Sequence, residues 1–229
     1  MHGHLYQNSG ETNNLEITWL AHCCVRIKTN KVTILTDPYP DNKETRLGKV
    51  EPDIVTISNM DPNHSRMDGL EKAKLTIDGP GEYAMSGVYI KGVMTSQGSD
   101  DPVEHRNTTY FMEIEGLKLC HLGDLKTPIS DTIASQFSPI DVLFLPSGGS
   151  LEPSYVTYIV QTLGPRIVIP IHYKVPGLTS DLNSLDTITK ELGSTPQEPL
   201  AKVQCTSTTL PATSTLIPLK ATGIRNKAS

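Results

Sequence analysis

The sequence predicts an α/β protein in which two packed β-sheets carry helices on their outer faces. Short apolar runs bounded by Gly, Pro, Asn or Asp recur along the chain, which is typical of strands. The first half is almost all strand, whereas helical spacing and strands alternate in the second half. About a dozen strands and three or four helices fit two sheets with helices outside, although composition alone also allows other α/β layers.

The predicted strands are short and rich in β-branched residues. They cover residues 15–19, 24–27, 32–35, 54–57, 74–77, 87–93, 108–114, 117–120, 142–145, 167–169 and 216–218. The pair on either side of Glu115-Gly116 has the spacing of a hairpin. Helical spacing predicts helices over 131–137, 154–163 and 181–192. Their expected N-caps include Ser154 and Asp181, and Gly164 and Gly193 suit helix ends.

Length and charge exclude several classes of protein. A chain of 229 residues can bury a substantial core, and we expect one domain over 15–220 between tails at 1–14 and 221–229. A net charge of -5 leaves no basic excess for nucleic acid. No apolar run approaches the roughly 20 residues that span a bilayer, and the N-terminus lacks the apolar region of a signal peptide. We therefore expect a cytoplasmic protein that binds neither nucleic acid nor membrane, and the sequence leaves its oligomeric state open.

The cysteines predict no special chemistry by their spacing. Four are present, and none forms a C-x-x-C pair. In a chain without a secretion signal, reduced and mostly buried thiols are the expected state.

Polar side chains follow several of the predicted strands, at the points where those strands end. Asp37, His64, Asp124 and His172 all lie in such loops. Groups at strand ends meet at one edge of a sheet. Imidazole and carboxylate are the ligands that a divalent cation prefers.

The order of these motifs resembles the metallo-β-lactamase superfamily, and within it the L-ascorbate-6-phosphate lactonase-like branch. The segments that carry the resemblance are Trp19-Leu20-Ala21-His22, Thr36-Asp37-Pro38, Asn59 to His64, Asp78-Gly79-Pro80-Gly81-Glu82, Gly123-Asp124 and His172-Tyr173. They span about residues 15 to 220 of the chain. The resemblance implies the four-layer αβ/βα sandwich of that superfamily and a metal-dependent hydrolase.

The metal motif departs from the family pattern, Ser-His-x-His-x-Asp-His. The family's first metal takes two motif histidines, which are Asn59 and Asp61 here, and a third from a later loop. That loop, Thr95-Ser96-Gln97, has no histidine, and the nearest one in sequence is His105, which we expect at the surface.

The resemblance implies that ligands of the second metal persist. Its positions are Asn63, His64, Asp124 and His172, and only the first of them is substituted. We expect at most one divalent metal, zinc or else manganese or iron, on His64, Asp124 and His172 with Asp61 beside them. The protein without any metal is the alternative.

By resemblance, His22 would face the substrate, Asn63 would stand at the catalytic position of the motif's aspartate without its charge, and Asp37 would hydrogen-bond a ligand. Each residue also has a structural interpretation. His64 and His172 suit hydrogen-bonded loop histidines, and Asp124 suits a turn cap. Asp61 before a proline suits an Asx-turn. Asn59 and Asn63 suit a hydrogen-bond network, and residues 78–82 suit a glycine-dependent turn.

The predicted function is weak or absent hydrolysis of a small ester, lactone or phosphoester. A non-catalytic binding or scaffold protein with the same fold is the alternative. Ser147-Gly148-Gly149-Ser150 does not fit a serine-hydrolase elbow, and the chain has no phosphate-binding loop.

Overall fold

A computed structural model describes residues 14–95, 106–149 and 151–225 of the chain. Within these ranges the chain forms two sheets, of six and seven strands. The sheets pack face to face, and the larger apolar core lies between them. The fold class predicted from the sequence is confirmed.

The first sheet combines an antiparallel half with a parallel half, in the order β12-β1-β2-β3-β4-β5. Strand β3 pairs with β4 and β4 with β5 in parallel, and the remaining pairs are antiparallel. The strands are β1 (Leu15–Ala21), β2 (Cys24–Lys28), β3 (Thr33–Thr36), β4 (Ile54–Thr56), β5 (Leu75–Ile77) and β12 (Val203–Cys205).

The second sheet has the order β13-β11-β10-β9-β8-β7-β6. Strands β6 to β9 form an antiparallel meander, and β9, β10, β11 and β13 run parallel. The strands are β6 (Gly81–Met85), β7 (Val88–Met94), β8 (Thr108–Ile114), β9 (Leu117–His121), β10 (Val142–Pro146), β11 (Ile167–Ile171) and β13 (Thr215–Leu216).

The helices in the described ranges are α1 (Asp131–Ala134), α2 (Pro153–Leu163) and α3 (Leu185–Glu191). The predicted N-caps at Ser154 and Asp181 are wrong. Helix α2 follows Glu152, because Pro153 suits the first helical position, and α3 follows Ser184. No helix in these ranges is long and apolar enough to cross a membrane.

The two outer faces of the sandwich are covered differently. The helices pack their apolar sides on the seven-stranded sheet, where Ile159 and Ile188 are buried. Over the six-stranded sheet, irregular chain takes that place, with Leu70 buried and Leu47 and Met67 half-buried against the strands. The expected outer helices are therefore found on one side only within the described residues.

Two strands were not predicted. Strand β6 begins within the segment 78–82, which was expected to be a glycine-dependent turn. It was missed because it is a half-exposed edge strand with no apolar run. Strand β12 is three residues long and pairs with the edge of β1. Both lie at sheet edges, where the apolar pattern that identifies a strand is weakest.

The predicted C-terminal tail at 221–229 is corrected in part. Thr222 donates its N–H to Trp19 O at 3.1 Å, and Gly223 donates to Leu20 O at 2.7 Å. Arg225 donates its N–H to Glu44 O at 2.7 Å. The packed chain thus continues to Arg225, whereas residues 226–229 and residues 1–13 lie outside the described ranges.

Phe144 tests the importance of the core between the sheets. Its ring is fully buried on β10, so Phe144→Ala should lower the free energy of unfolding by about 3–5 kcal/mol. Leu200→Ala is the control, because Leu200 is 50% exposed and its change should stay within about 0.5 kcal/mol. Urea denaturation followed by circular dichroism measures both. Equal losses in the two variants would contradict the assigned core.

Candidate metal centre

Three strands end in residues with left-handed backbone conformation, and their side chains meet. His22 follows β1 with φ 49°, Asp37 follows β3 with φ 42°, and His172 follows β11 with φ 52°. Residues with a Cβ rarely adopt this conformation, and it costs on the order of 1–3 kcal/mol where it occurs. Such strain commonly marks functional sites, where surrounding contacts hold it in place.

Hydrogen bonds hold the strained histidine segments together. The carbonyl oxygen of His22 accepts from Trp19 Nε1 and from the His172 N–H, both at 2.9 Å. The rings of His22 and His172 lie with centroids 6.2 Å apart. The end of β1 in the first sheet is thereby tied to the end of β11 in the second.

His64 is buried against the carboxylate of Asp37. Its Nδ1 lies 3.4 Å from Asp37 Oδ2, and Asp37 also accepts from the Ser58 N–H and Ser58 Oγ at 2.7 Å each. Burial lowers the pKa of His64, but the contact with Asp37 and the charges of Asp124 and Asp61 raise it overall. Asp37 was predicted to hydrogen-bond a ligand, and in the structure it contacts His64, one of the predicted metal ligands.

His172 stands perpendicular to His64, at 88° and with ring centroids 5.5 Å apart. Its Nδ1 lies 3.2 Å from Asp124 Oδ1, which is ion-pair distance. The same Nδ1 is buried and makes no hydrogen bond of acceptable angle among the described residues. Burial raises the pKa of Asp124, but His172, His64 and Lys126 lower it overall. The two groups are therefore close, but the buried Nδ1 of His172 lacks a hydrogen bond. Such a group lowers the stability of the fold.

Cys23 joins the two histidines. Donor atoms of Cys23, His64 and His172 all lie within 4.8 Å of one another, a spacing suited to a metal ion. Burial, and then the negative charges of Asp37 and Asp124, raise the pKa of the thiol well above its ordinary value. Sequence reasoning missed Cys23 because a lone buried thiol is common. Its position directly after His22 was the available signal.

Asp124 and Asp61, both predicted as ligands, fall outside this cluster of mutually close donors. Asp124 touches His172, as described above. Asp61 is exposed, and its Oδ1 accepts the Asn63 N–H at 2.8 Å, which is the Asx-turn interpretation. Asn59 Oδ1 in turn accepts the Asp61 N–H at 3.0 Å.

The two residues predicted as catalytic, His22 and Asn63, have different surroundings. Asn63 is exposed on the motif turn and contributes its backbone N–H there. His22 is half-buried, with its ring 5.4 Å from that of Tyr39. Burial, followed by the charges of His172 and His64, lowers the pKa of His22 to about 4. His22 is consequently neutral at physiological pH. Ser96, Gln97 and His105 lie outside the described residues.

His121 is a further buried histidine, and its role is structural. Its Nε2 lies 2.8 Å from Cys23 O, and its Nδ1 accepts the Gly123 N–H at 3.2 Å. Burial lowers its pKa, and both ring nitrogens have hydrogen-bond partners. Gly123 has φ 65°, and a Cβ there would lie 2.4 Å from Ser58 Cβ. Close packing of this loop thus fixes the backbone of Cys23.

Residues 16–172, more than half of the chain, match the family described as the beta-lactamase superfamily domain. The chain belongs to this superfamily. It is 30% identical over 190 residues to a UPF0173 protein of Pyrococcus abyssi, with 71% of this chain and 85% of that protein covered.

Other relatives agree with this membership. Identity is 29% over 194 residues to a UPF0173 metal-dependent hydrolase of Lysinibacillus sphaericus, with 69% of this chain and 85% of that protein covered. A crystal structure from Thermotoga maritima, assigned as a Zn-dependent hydrolase of the metallo-β-lactamase superfamily, superposes with a TM-score of 0.73. That chain is 28% identical, with 90% of this chain and 100% of that chain covered. The superfamily is confirmed, and the lactonase-like branch stays a prediction.

The low pKa of His22 has a measurable consequence. In protein treated with a chelator, the His22 ring should titrate near pH 4 by NMR, well below the usual value near 6.5. The unfolded chain takes up this proton first as the pH falls, so His22 destabilises the fold progressively between pH 6.5 and 4. His22→Gln should remove that part of the pH dependence. Titration of His22 near 6.5 would contradict the burial described here.

Proposed function

We propose that the chain is a metal-dependent hydrolase with a reduced centre, which binds one divalent metal through His64 and His172 and turns over weakly. The observation that carries the proposal is the pair of perpendicular rings 5.5 Å apart, each with a carboxylate at its Nδ1. Metal-binding histidines commonly have such a partner, which sets the tautomer and holds the ring in place. The Nε2 atoms are then left as the ligand atoms.

The donor set fits a metal ion. Donor atoms of two imidazoles and a thiol lie within 4.8 Å of one another. The charges of Asp37, Asp124 and Asp61 all favour positive charge on His64. A cation would benefit from the same field. Bound there, it would supply Lewis-acid polarisation of a carbonyl or phosphoryl oxygen.

A second metal is not supported by the motif turn. The side chains of Asn59 and Asp61, which stand where the family has histidines, accept backbone N–H groups of the turn itself. An amide is also a neutral and weakly basic ligand. We therefore propose one metal for each chain.

The residues around the metal support weak rather than efficient chemistry. His22 is neutral at pH 7, so it can accept a hydrogen bond from a substrate, but its pKa of about 4 makes it a poor base. Asn63 cannot take up a proton at all. A general base works best when its pKa lies near the working pH. Neither His22 nor Asn63 meets this condition, so neither is well suited to activate water.

The substrate we propose is a small ester, lactone or phosphoester. Relatives named metal-dependent hydrolases favour hydrolysis over the non-catalytic alternative. The description of those proteins names no substrate, so the class follows here from the bonds that metal-assisted hydrolysis breaks.

Metal content is the first test of the proposal. Protein saturated with zinc and then desalted should carry at most one ion per chain, because the motif histidines that bind the family's first metal are replaced here by Asn59 and Asp61. His64→Ala and His172→Ala should each abolish tight binding. The comparison variant is Asp68→Ala, because Asp68 is an exposed carboxylate paired with Arg66 and lies outside the cluster. Inductively coupled plasma mass spectrometry measures the ratio. Two tightly held ions per chain would refute the reduced centre.

Turnover is the second test. On a panel of lactones, phosphodiesters and β-lactams with added zinc or manganese, we expect kcat/KM well below the ~10⁴ M⁻¹s⁻¹ at the low end for enzymes. The triple variant Asn59→His, Asp61→His, Asn63→Asp should bind metal more tightly, since it returns imidazoles and a carboxylate. It should not recover full activity, because the later loop at Gln97 still lacks its histidine. Efficient turnover by the natural protein would show that the altered motif is a working variant.

A further inference from the structure

We propose that Cys23 is the third protein ligand of this metal, as a thiolate, and that Asp124 positions His172 without binding the metal. The proposal rests on the single metal centre proposed above and specifies its composition. It replaces the two-histidine and carboxylate set that the family resemblance implies with a set of one cysteine and two histidines.

Distances among the donor atoms favour Cys23. Zinc binds nitrogen at about 2.0–2.1 Å and sulfur at about 2.3 Å, so tetrahedral ligands lie about 3.3–3.6 Å apart. Cys23, His64 and His172 have donor atoms within 4.8 Å of one another, and a modest contraction brings them to that spacing. No carboxylate in the described ranges joins them at this mutual distance.

The position of Asp124 suits a partner of the ring rather than a ligand. Its Oδ1 lies 3.2 Å from Nδ1 of His172, as Asp37 Oδ2 lies 3.4 Å from Nδ1 of His64. The two histidines thus have the same arrangement, with a carboxylate behind Nδ1. Cys23 is the residue whose donor atom completes the group with the two histidines.

The Cys23 backbone is fixed, whereas its sulfur is only weakly engaged. The carbonyl oxygen of Cys23 accepts from Thr36 Oγ1 at 3.0 Å and contacts His121 Nε2 at 2.8 Å. The sulfur donates one hydrogen bond, of 3.4 Å, to Gly123 O, and a thiol is a weak donor. Metal binding would break this S–H bond, form a sulfur–metal bond and release the proton to solvent, with no change of oxidation state.

A thiolate ligand predicts which metal is preferred. Soft sulfur ligands favour zinc, whereas manganese and magnesium prefer oxygen ligands. The protein should therefore select zinc over manganese strongly, and three protein ligands leave one coordination position open, as in catalytic zinc sites.

Cobalt(II) spectroscopy of the 229-residue chain tests the proposal. Protein stripped with a chelator and titrated with Co²⁺ should show the near-ultraviolet sulfur-to-cobalt charge-transfer band, saturating at one ion per chain. Cys23→Ser should abolish the band and lower zinc affinity on the order of 100-fold or more, beyond the upper end for loss of an outer-shell partner. The ratio of zinc to manganese affinity should fall with it.

Two variants serve as matched controls. Cys24→Ser changes the adjacent buried cysteine, which packs in the cluster on the opposite face of the first sheet, and should leave the band intact. Asp124→Asn should keep the band while weakening affinity about 10–100-fold, as expected of a residue that orients a ligand.

The outcomes separate this proposal from the proposed function. Binding of one Co²⁺ without a thiolate band, with affinity lost in Asp124→Asn and kept in Cys23→Ser, overturns the cysteine ligand but leaves the single metal centre standing. Absence of any metal binding overturns both. The spectrum of the natural protein decides the point even if a variant fails to fold.

Discussion

The buried carboxylate of Asp37 is the group on which the candidate centre depends. Its side chain is inaccessible to solvent, which is costly for a charge unless its oxygens are satisfied. Ser58 supplies a backbone and a hydroxyl donor, and His64 supplies the third contact. Because Ser58 begins the motif turn and His64 ends it, this one carboxylate holds both ends of the turn against the end of β3.

The backbone around the centre is equally constrained. His22, Asp37 and His172 take left-handed conformations directly after strands, so their side chains turn away from the direction that the strand would give them. Hydrogen bonds across the two sheets compensate for the strain. Rigid strands position such residues more precisely than free loops can, which is a requirement for binding a small ion. The motif turn between them, by contrast, is closed by its own side chains, because Asn59 and Asp61 accept backbone N–H groups of the turn.

Much of the fold could be predicted because buried strands leave a strong apolar signal. The runs around β1, β8 and β10 were located to within a few residues, and the motif order indicated the superfamily. Strands β6 and β12 were missed, since edge strands need not be apolar on both faces. The packed segment 221–225 was missed for a similar reason, because backbone hydrogen bonds hold it in place.

Prediction of the site stopped at a physical limit of a different kind. His64, His172 and Asp124 could be identified by their place after strands, but Cys23 has no motif of its own. It becomes a candidate ligand through contacts with residues about a hundred positions away in sequence: His121 contacts its carbonyl oxygen, and Gly123 O accepts from its sulfur. Long-range packing of this sort leaves no local pattern.

The two proposals are linked through charge. A divalent metal on two neutral histidines and one thiolate keeps one net positive charge, and Asp124 and Asp37 stand directly behind the two rings. A thiolate donates more electron density than water or imidazole, so it reduces the Lewis acidity that hydrolysis requires. The same ligand that would make the centre selective for zinc would make it a weaker catalyst. The proposed single metal and the proposed sulfur ligand would therefore act in the same direction, toward a centre that binds its metal well and activates water poorly.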